Sequence, residues 1–347
     1  MKQGKPIIGI TMGDPGSIGP EISVKALRDS AIYEKCRPII IGDVPVMQKA
    51  LEIVGSNDLN VNSVSDVSSA RFKHGIIDVF DMGAISMDKV DIGRFTAANG
   101  AASYRYVEKA ITLALSGDID ATVTNALSKE AINLAGHVYA GHTEIYAHLT
   151  GTTQYAMMLA HDDLRVVHVS THVSLREACE RVKEHRVYEV IVLADRACRT
   201  LGIKRPAVGV AGLNPHSGEA GMFGTEEIDE IIPAIERARK EGISVEGPIP
   251  PDTIFPKARG GWYDIVVAMY HDQGHIPLKM EGFVYNRVEK KWDAVSGINV
   301  TLGLPIIRTS VDHGTAMDIA YKGTASPSSL VAAISCAVKF AENRNAP

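Results

Sequence analysis

Short apolar runs alternate with stretches of helical spacing along most of this chain, and that alternation leaves few folds open. Ile7, Ile8 and Ile10 lead into Thr11-Met12-Gly13, and a helical pattern follows over Glu21–Arg28. Pro38-Ile39-Ile40-Ile41-Gly42 repeats the run, and Val46–Val54 repeats the helix. Further runs lie at Ile76–Phe80, Ala121–Thr124, Arg165–Ser170, Ala207–Ala211, Ile265–Met269 and Pro305–Thr309, with helical spacing over 97–116 and Leu175–Asp195. Apolar runs this short, separated by helices, suit strands buried on both faces. The expected class is α/β with a largely parallel sheet. Residues 55–72 are polar and read as a loop, and residues 284–296 form a charged stretch between two glycine-bearing motifs. At 347 residues, 45% of them hydrophobic, the chain can build two ordinary domains or one large one. No shift in composition marks a boundary.

The same inventory excludes several functions. Thirty-six Lys and Arg against 41 Asp and Glu give a net charge of −5 without a basic block, which speaks against nucleic acid as a partner. Cys36, Cys179, Cys198 and Cys336 lie far apart, so neither a disulfide framework nor a thiolate zinc site is expected. The opening MKQGKPIIGITMGD is broken too soon for a signal peptide. No apolar run reaches the roughly 18 residues that cross a bilayer. The expectation is a cytoplasmic enzyme without a membrane partner.

Five segments carry candidate chemistry. Gly13-Asp14-Pro15-Gly16-Ser17-Ile18-Gly19-Pro20-Glu21 lies between a strand and a helix. It is either a tight connection or a helix start that offers N–H groups to an anion. It matches neither the dinucleotide fingerprint nor the P-loop. In Ala140-Gly141-His142-Thr143-Glu144, His142 and Thr143 begin a helix and either hold an anion or leave Thr143 as a simple cap. His172, His216 and His271 each follow a strand. Carboxyl ends of parallel strands line the ligand crevice of such sheets, so three imidazoles there can converge on one divalent metal with a position left open. His168 sits inside a strand and reads as a core residue; His161 and His185 read as solvated, and His275 and His313 as near the site without a role. Asp252 lies in a proline-framed loop, Asp272 follows His271, and Lys279 is seven residues further on. Carboxylates beside a metal orient ligands or move protons, whereas an Asx turn and a solvated charge are the plainer alternatives. Finally, Asn299, Arg308, Asp312 and His313 share an apolar, glycine-bearing segment in which a guanidinium can fork onto a phosphate or carboxylate.

Taken together, the stretches GDPGSIGPE, AGHTE, GLNPHSGE, PDTIF, YHDQGH and NVTLGLPIIRTSVDHGTA resemble the 4-hydroxythreonine-4-phosphate dehydrogenase (PdxA) family, in one order from about Ile7 to Ala325. The resemblance implies two α/β/α domains like those of isocitrate and isopropylmalate dehydrogenases, with the active site in the interdomain cleft. The first would comprise residues 1–135 and 305–347, the second 136–304 with the metal ligands and the dimer interface. It implies NAD and one divalent metal per site (zinc, manganese, magnesium or cobalt), held by His172, His216 and His271 between the subunits of a homodimer. Substrate contacts would fall on His142, Thr143, Lys279, Asn299 and Arg308. Asp252 and Asp272 match the acidic residues beside the metal, and Lys279, or Asp252 through water, would take the hydroxyl proton as hydride leaves to NAD.

Two departures from the family pattern bear on the substrate. Gly16-Ser17 replaces Ala-Gly, and residues around 284–296 lengthen the link from Lys279 to Asn299. Members with such differences look like the branch acting on D-threonate 4-phosphate, which would yield dihydroxyacetone phosphate and CO2. The alternatives are D-erythronate 4-phosphate and 4-hydroxy-L-threonine 4-phosphate. Other classes also remain: a phosphate acyltransferase, a dehydrogenase of a cyclic dihydrodiol carboxylate, or a sugar-phosphate binding protein without catalysis.

Overall fold

The structure, a computed structural model, describes residues 4–288, 290–295 and 297–344. Its strands are β1 (Ile7–Thr11), β2 (Arg37–Gly42), β3 (Asn60–Val64), β4 (Ile76–Asp81), β5 (Ala121–Thr124), β6 (Ala156–His161) and β7 (Leu164–His168). There follow β8 (Val208–Ala211), β9 (Val245–Ile249), β10 (Ile265–Ala268), β11 (Phe283–Asn286), β12 (Lys291–Val295), β13 (Ile298–Leu302) and β14 (Ile307–Val311). Twelve of them form one sheet in the order β3-β4-β2-β1-β5-β14-β13-β6-β7-β10-β8-β9. Neighbours run parallel except at β14-β13, β13-β6 and β6-β7. The α/β class and the largely parallel sheet are as the sequence predicts.

Burial follows the apolar runs. Ile8, Ile10, Ile39, Ile40, Ile41, Val266 and Val267 are fully buried, because helices cover both faces of the sheet. The helix Ala97–Ser116 shows how local sequence sets an element. Thr96 caps it by accepting from the Asn99 N–H at 3.3 Å, and Gly117 ends it in the left-handed region at φ 78°. Its inner side buries Tyr106, Val107, Ala110 and Ile111. A second apolar cluster, including Leu159, Val166, Phe255, Val266 and Leu278, packs beneath the helices Pro251–Arg259 and His271–Gly282.

Four sheet strands, β3, β6, β9 and β13, are not among those expected. Residues 55–72 contain β3, which is polar because it is an edge strand with only β4 beside it. The charged stretch 284–296 contains most of a separate antiparallel ribbon, β11 with β12. The expected helix Leu175–Asp195 is two helices, Leu175–Glu180 and Glu184–Thr200. Strands from 1–135 and 305–347 occupy the half of the sheet from β3 to β14, and strands from 136–304 the half from β13 to β9. Among the described residues, no helix is long and apolar enough to cross a membrane.

Candidate active site

Arg308 lies in β14, in the middle of the sheet, and is 3% exposed. Its Nη1 donates to Thr301 Oγ1 and its Nη2 to Thr124 Oγ1, each at 2.9 Å, while Nε has no partner. Among the described residues it forms no ion pair, and burial pushes its pKa down to about 10. The guanidinium therefore stays charged at neutral pH at a desolvation cost of roughly 3 kcal/mol. The ring of Tyr146 lies 5.6 Å from it. Tyr146 stands on the helix His142–Thr150, which starts after Gly141 without a side-chain cap. Thr143 is thus not a cap; its Oγ1 lies 3.5 Å from Thr301 Oγ1. His142 Nε2 is buried without a partner, and the Tyr146 hydroxyl is buried beside Thr122. Burial, and then the charge of Arg308, hold the His142 pKa well below its ordinary value. A buried guanidinium without an ion pair, whose charge the Glu144 carboxylate offsets only from a distance, stands with a neutral imidazole, hydroxyls and a helix start, a set whose chemistry suits a phosphate or carboxylate.

The strand-end histidines follow β7, β8 and β10, which are parallel, with β10 between the other two. The rings of His172 and His271 lie 5.8 Å apart. His172 Nδ1 is 3.9 Å from Glu144 Oε1, and His271 Nδ1 is 2.7 Å from Asp272 Oδ1. A carboxylate on Nδ1 leaves Nε2 free as a ligand, so His271 fits a metal-binding role. His275 stacks on His271 at 3.5 Å and 12°. The structure brings together two of the three expected ligands. His216 stands on an exposed turn, 3.4 Å from Glu219 Oε2. Among the described residues, no three His, Cys, Asp or Glu are grouped to hold a metal ion. Imidazoles nonetheless suit zinc and its neighbours, and a second chain can complete the set.

The turn bearing His216 is unusual. His216, Ser217, Gly218, Glu219 and Ala220 all have positive φ, from 44° to 79°. For the four residues other than glycine this costs about 1–2 kcal/mol each, so surrounding contacts must impose the shape.

His271, His275 and Lys279 are spaced four apart on one helix and share a face. Lys279 is not simply a solvated charge: its Nζ lies 3.3 Å from Asp312 Oδ2 and 4.6 Å from the Phe283 ring centroid. Asp252 lies in the first turn of the helix Pro251–Arg259, not in a loop, with Pro251 pre-set for the helix start. With Asp272 it lines a cavity of about 400 Å³. A cavity of about 460 Å³ adjoins at Tyr270 and Asp272 and is bordered by His172 and His271. One of about 660 Å³ adjoins at His172 and is bordered by Thr143 and Glu144. Asn299 lies on β13 with its Oδ1 buried and unpartnered.

The glycine-rich segment forms a tight, fully buried connection. Residues 8–24 are all buried. Gly13, at φ +79°, leaves no room for a side chain: a Cβ would sit 2.6 Å from the Ala126 carbonyl oxygen. Sequence reasoning also left Thr124, Tyr146, Thr301, Glu144, His275 and Asp312 without roles. The i, i+4, i+8 spacing from His271 carried a signal for His275. Nothing local marks Thr124, which meets Arg308 across 184 residues of chain.

Known proteins resemble this chain over nearly its full length. The model for a family described as "Pyridoxal phosphate biosynthetic protein PdxA" matches residues 34–337. A D-threonate 4-phosphate dehydrogenase of Cupriavidus necator is 45% identical over 98% of both chains. A 4-hydroxythreonine-4-phosphate dehydrogenase of Desulforapulum autotrophicum is 45% identical over 97% of this chain and 96% of its own. The crystal structure of a 4-hydroxythreonine-4-phosphate dehydrogenase from Burkholderia phymatum is 43% identical, covers 97% of this chain and 99% of its own, and superposes with a TM-score of 0.83.

Proposed function

The chain belongs to the PdxA family, and from that premise we propose that it is an NAD-dependent dehydrogenase of a phosphorylated four-carbon hydroxy acid, D-threonate 4-phosphate first. The observation that carries this reading is the buried, unpaired Arg308 beside His142 and Thr143. Such a site takes a dianionic phosphate or a carboxylate, and the substrate has both. Adjoining cavities lead from Thr143 past His172 and His271 to Asp252 and Asp272.

His172, His216 and His271 would hold a divalent cation. When bound, it supplies a Lewis acid for a substrate hydroxyl or keto oxygen. Lys279 is the proposed proton acceptor, with Asp312 facing it; Asp252 acting through water is the other choice. The C3 hydrogen leaves as hydride to NAD, and the hydroxyl proton goes to the base. The product is a β-keto acid. Loss of CO2 breaks its C1–C2 bond, and a proton then closes C2, giving dihydroxyacetone phosphate.

We also place the protein in a homodimer with the metal between subunits. His216 stands apart from the His172–His271 pair, and exposed Met222, Phe223, Ile276 and Met280 lie on the His216 loop and the His271 helix. The seam between β13 and β14 is the proposed domain boundary, and the cytoplasm the proposed location.

The test is NADH formation with D-threonate 4-phosphate, D-erythronate 4-phosphate and 4-hydroxy-L-threonine 4-phosphate, with zinc, manganese, magnesium or cobalt added. D-threonate 4-phosphate is expected to have the highest kcat/KM. Arg308→Met should lower kcat/KM on it by about 100-fold or more while the fold holds or gains stability. Preference for the amino-acid phosphate would overturn the substrate, and turnover unaffected by Arg308→Met would overturn the site.

A further inference from the structure

His216 projects from a turn whose shape its own sequence disfavours, so something must impose it. Glu227, 2% exposed, stands behind that turn. One carboxylate oxygen accepts from the Leu213 and Asn214 backbone N–H groups, both at 2.7 Å. The other accepts from Asn214 Nδ2 at 2.9 Å. The same oxygen closes the far side of the turn, where a Cβ on Gly218 would lie 2.8 Å from it. The carboxylate thus holds the chain just before His216 and packs closely against Gly218 just after it. Among the described residues Glu227 forms no ion pair, so it is a buried charge satisfied by the loop alone.

Two features place this carboxylate. The segment Glu227–Ile231 is a π turn, closed by the Ile232 N–H on the Glu227 carbonyl, and it leads into the helix Ile232–Lys240. Pro233 lacks the N–H that an ordinary helical turn would use there. The start of the loop is anchored separately. Gln273 Nε2 donates to the Gly212 carbonyl at 2.8 Å, and its Oε1 accepts from Met269 N–H at 2.7 Å. This amide ties the end of β8 to the end of β10, two residues from His271. The base of the His216 loop is therefore fixed to its own subunit's sheet, which sets how His216 is presented to a site shared with a second chain.

We propose that Glu227 is a positioning residue that holds His216 ready to bind the metal, with Gln273 setting the loop's register. This inference rests on the reading of His216 as a metal ligand. A buried charge is costly unless its hydrogen bonds are complete, and here all of them go to one loop with a candidate ligand at its tip. Partners that orient metal-binding side chains typically change metal affinity by about 10–100-fold when altered.

The test measures zinc affinity of the full-length protein by competition with a chromophoric chelator, and phosphate binding by calorimetry. Wild type, His216→Ala and Glu227→Gln are compared. Glu227→Gln keeps the shape but turns one acceptor into a donor facing Asn214 Nδ2. The expected result is zinc binding weakened about 10–100-fold, with phosphate affinity at Arg308 unchanged and a melting temperature lowered only by the one lost hydrogen bond. Should that variant fold poorly, Asn214→Ala removes one of the three donors and should give a smaller loss. Zinc affinity that depends on His216 but not on Glu227 or Asn214 would overturn the proposal. Parallel loss of zinc, phosphate and thermal stability would also overturn it, as a purely structural role. Wild-type zinc binding indifferent to His216→Ala would instead remove the metal reading itself.

Discussion

Asp14 lies just beyond β1 with one carboxylate oxygen accepting from the Gly16 N–H at 2.9 Å and the other buried without a partner. Burial raises its pKa from 3.8 to about 6, and the Gly16 bond opposes the rise only in part. The folded pKa is above the unfolded one, so the native state binds the proton more tightly. Stability from this group rises as pH falls from about 6 towards 4, and above that window the charged form costs roughly 3 kcal/mol. Asp14→Asn should therefore raise the melting temperature near pH 8, with the gain fading by about pH 4. A gain independent of pH would show that Asp14 is not the titrating group. Arg308 poses the same conflict with opposite charge. Each residue is a local loss of stability that packing alone would not select.

At the scale of elements, the helix His271–Gly282 decides how the site is assembled. It packs closely against β7 at Gly274, where a Cβ would lie 2.4 Å from His168 Nε2 and 2.6 Å from Val166 Cγ1. His271 and Lys279 lie on either side of that contact along the helix. Gly274→Ala should lift the helix from the sheet and cost about 1–3 kcal/mol in a denaturant titration. Because the helix carries both groups, zinc affinity and kcat/KM should fall together. Unchanged stability would mean that the helix can shift without strain. The β11–β12 ribbon follows the same helix and precedes Asn299, so the insertion noted in the sequence is a defined element between two proposed substrate contacts.

Across the whole molecule, one sheet joins strands that run in opposite senses on its two halves, with β13 and β6 making the antiparallel joint. The proposed metal ligands follow strands in one half, whereas Arg308 stands in the other, on β14 beside the joint. A metal bound only by the folded protein stabilises it by mass action. Zinc at about a hundred times its Kd should add about 2.7 kcal/mol to the unfolding free energy, and a chelator should remove it. His216→Ala should abolish the increment. Equal stabilisation of wild type and variant would place the zinc elsewhere.

The residue order alone determined the class and the main buried strands, and it supplied the residue types of the proposed site. Apolar runs such as Ile39–Ile41 must be buried, whereas the helix that puts His271, His275 and Lys279 on one face is seen only in the structure. Edge strand β3 was hidden because an edge needs less apolar surface, and Asp252 was read as a loop because prolines also open helices. Only the tertiary structure decided which buried groups lack an ion pair, since Thr124, Thr301 and Tyr146 reach Arg308 from separate elements. It also decided that the glycine-rich turn is packed shut and that Glu227 grips the His216 loop. Burial and hydrogen-bond partners depend on distances between segments remote along the chain, whereas local periodicity reports only how each segment meets water.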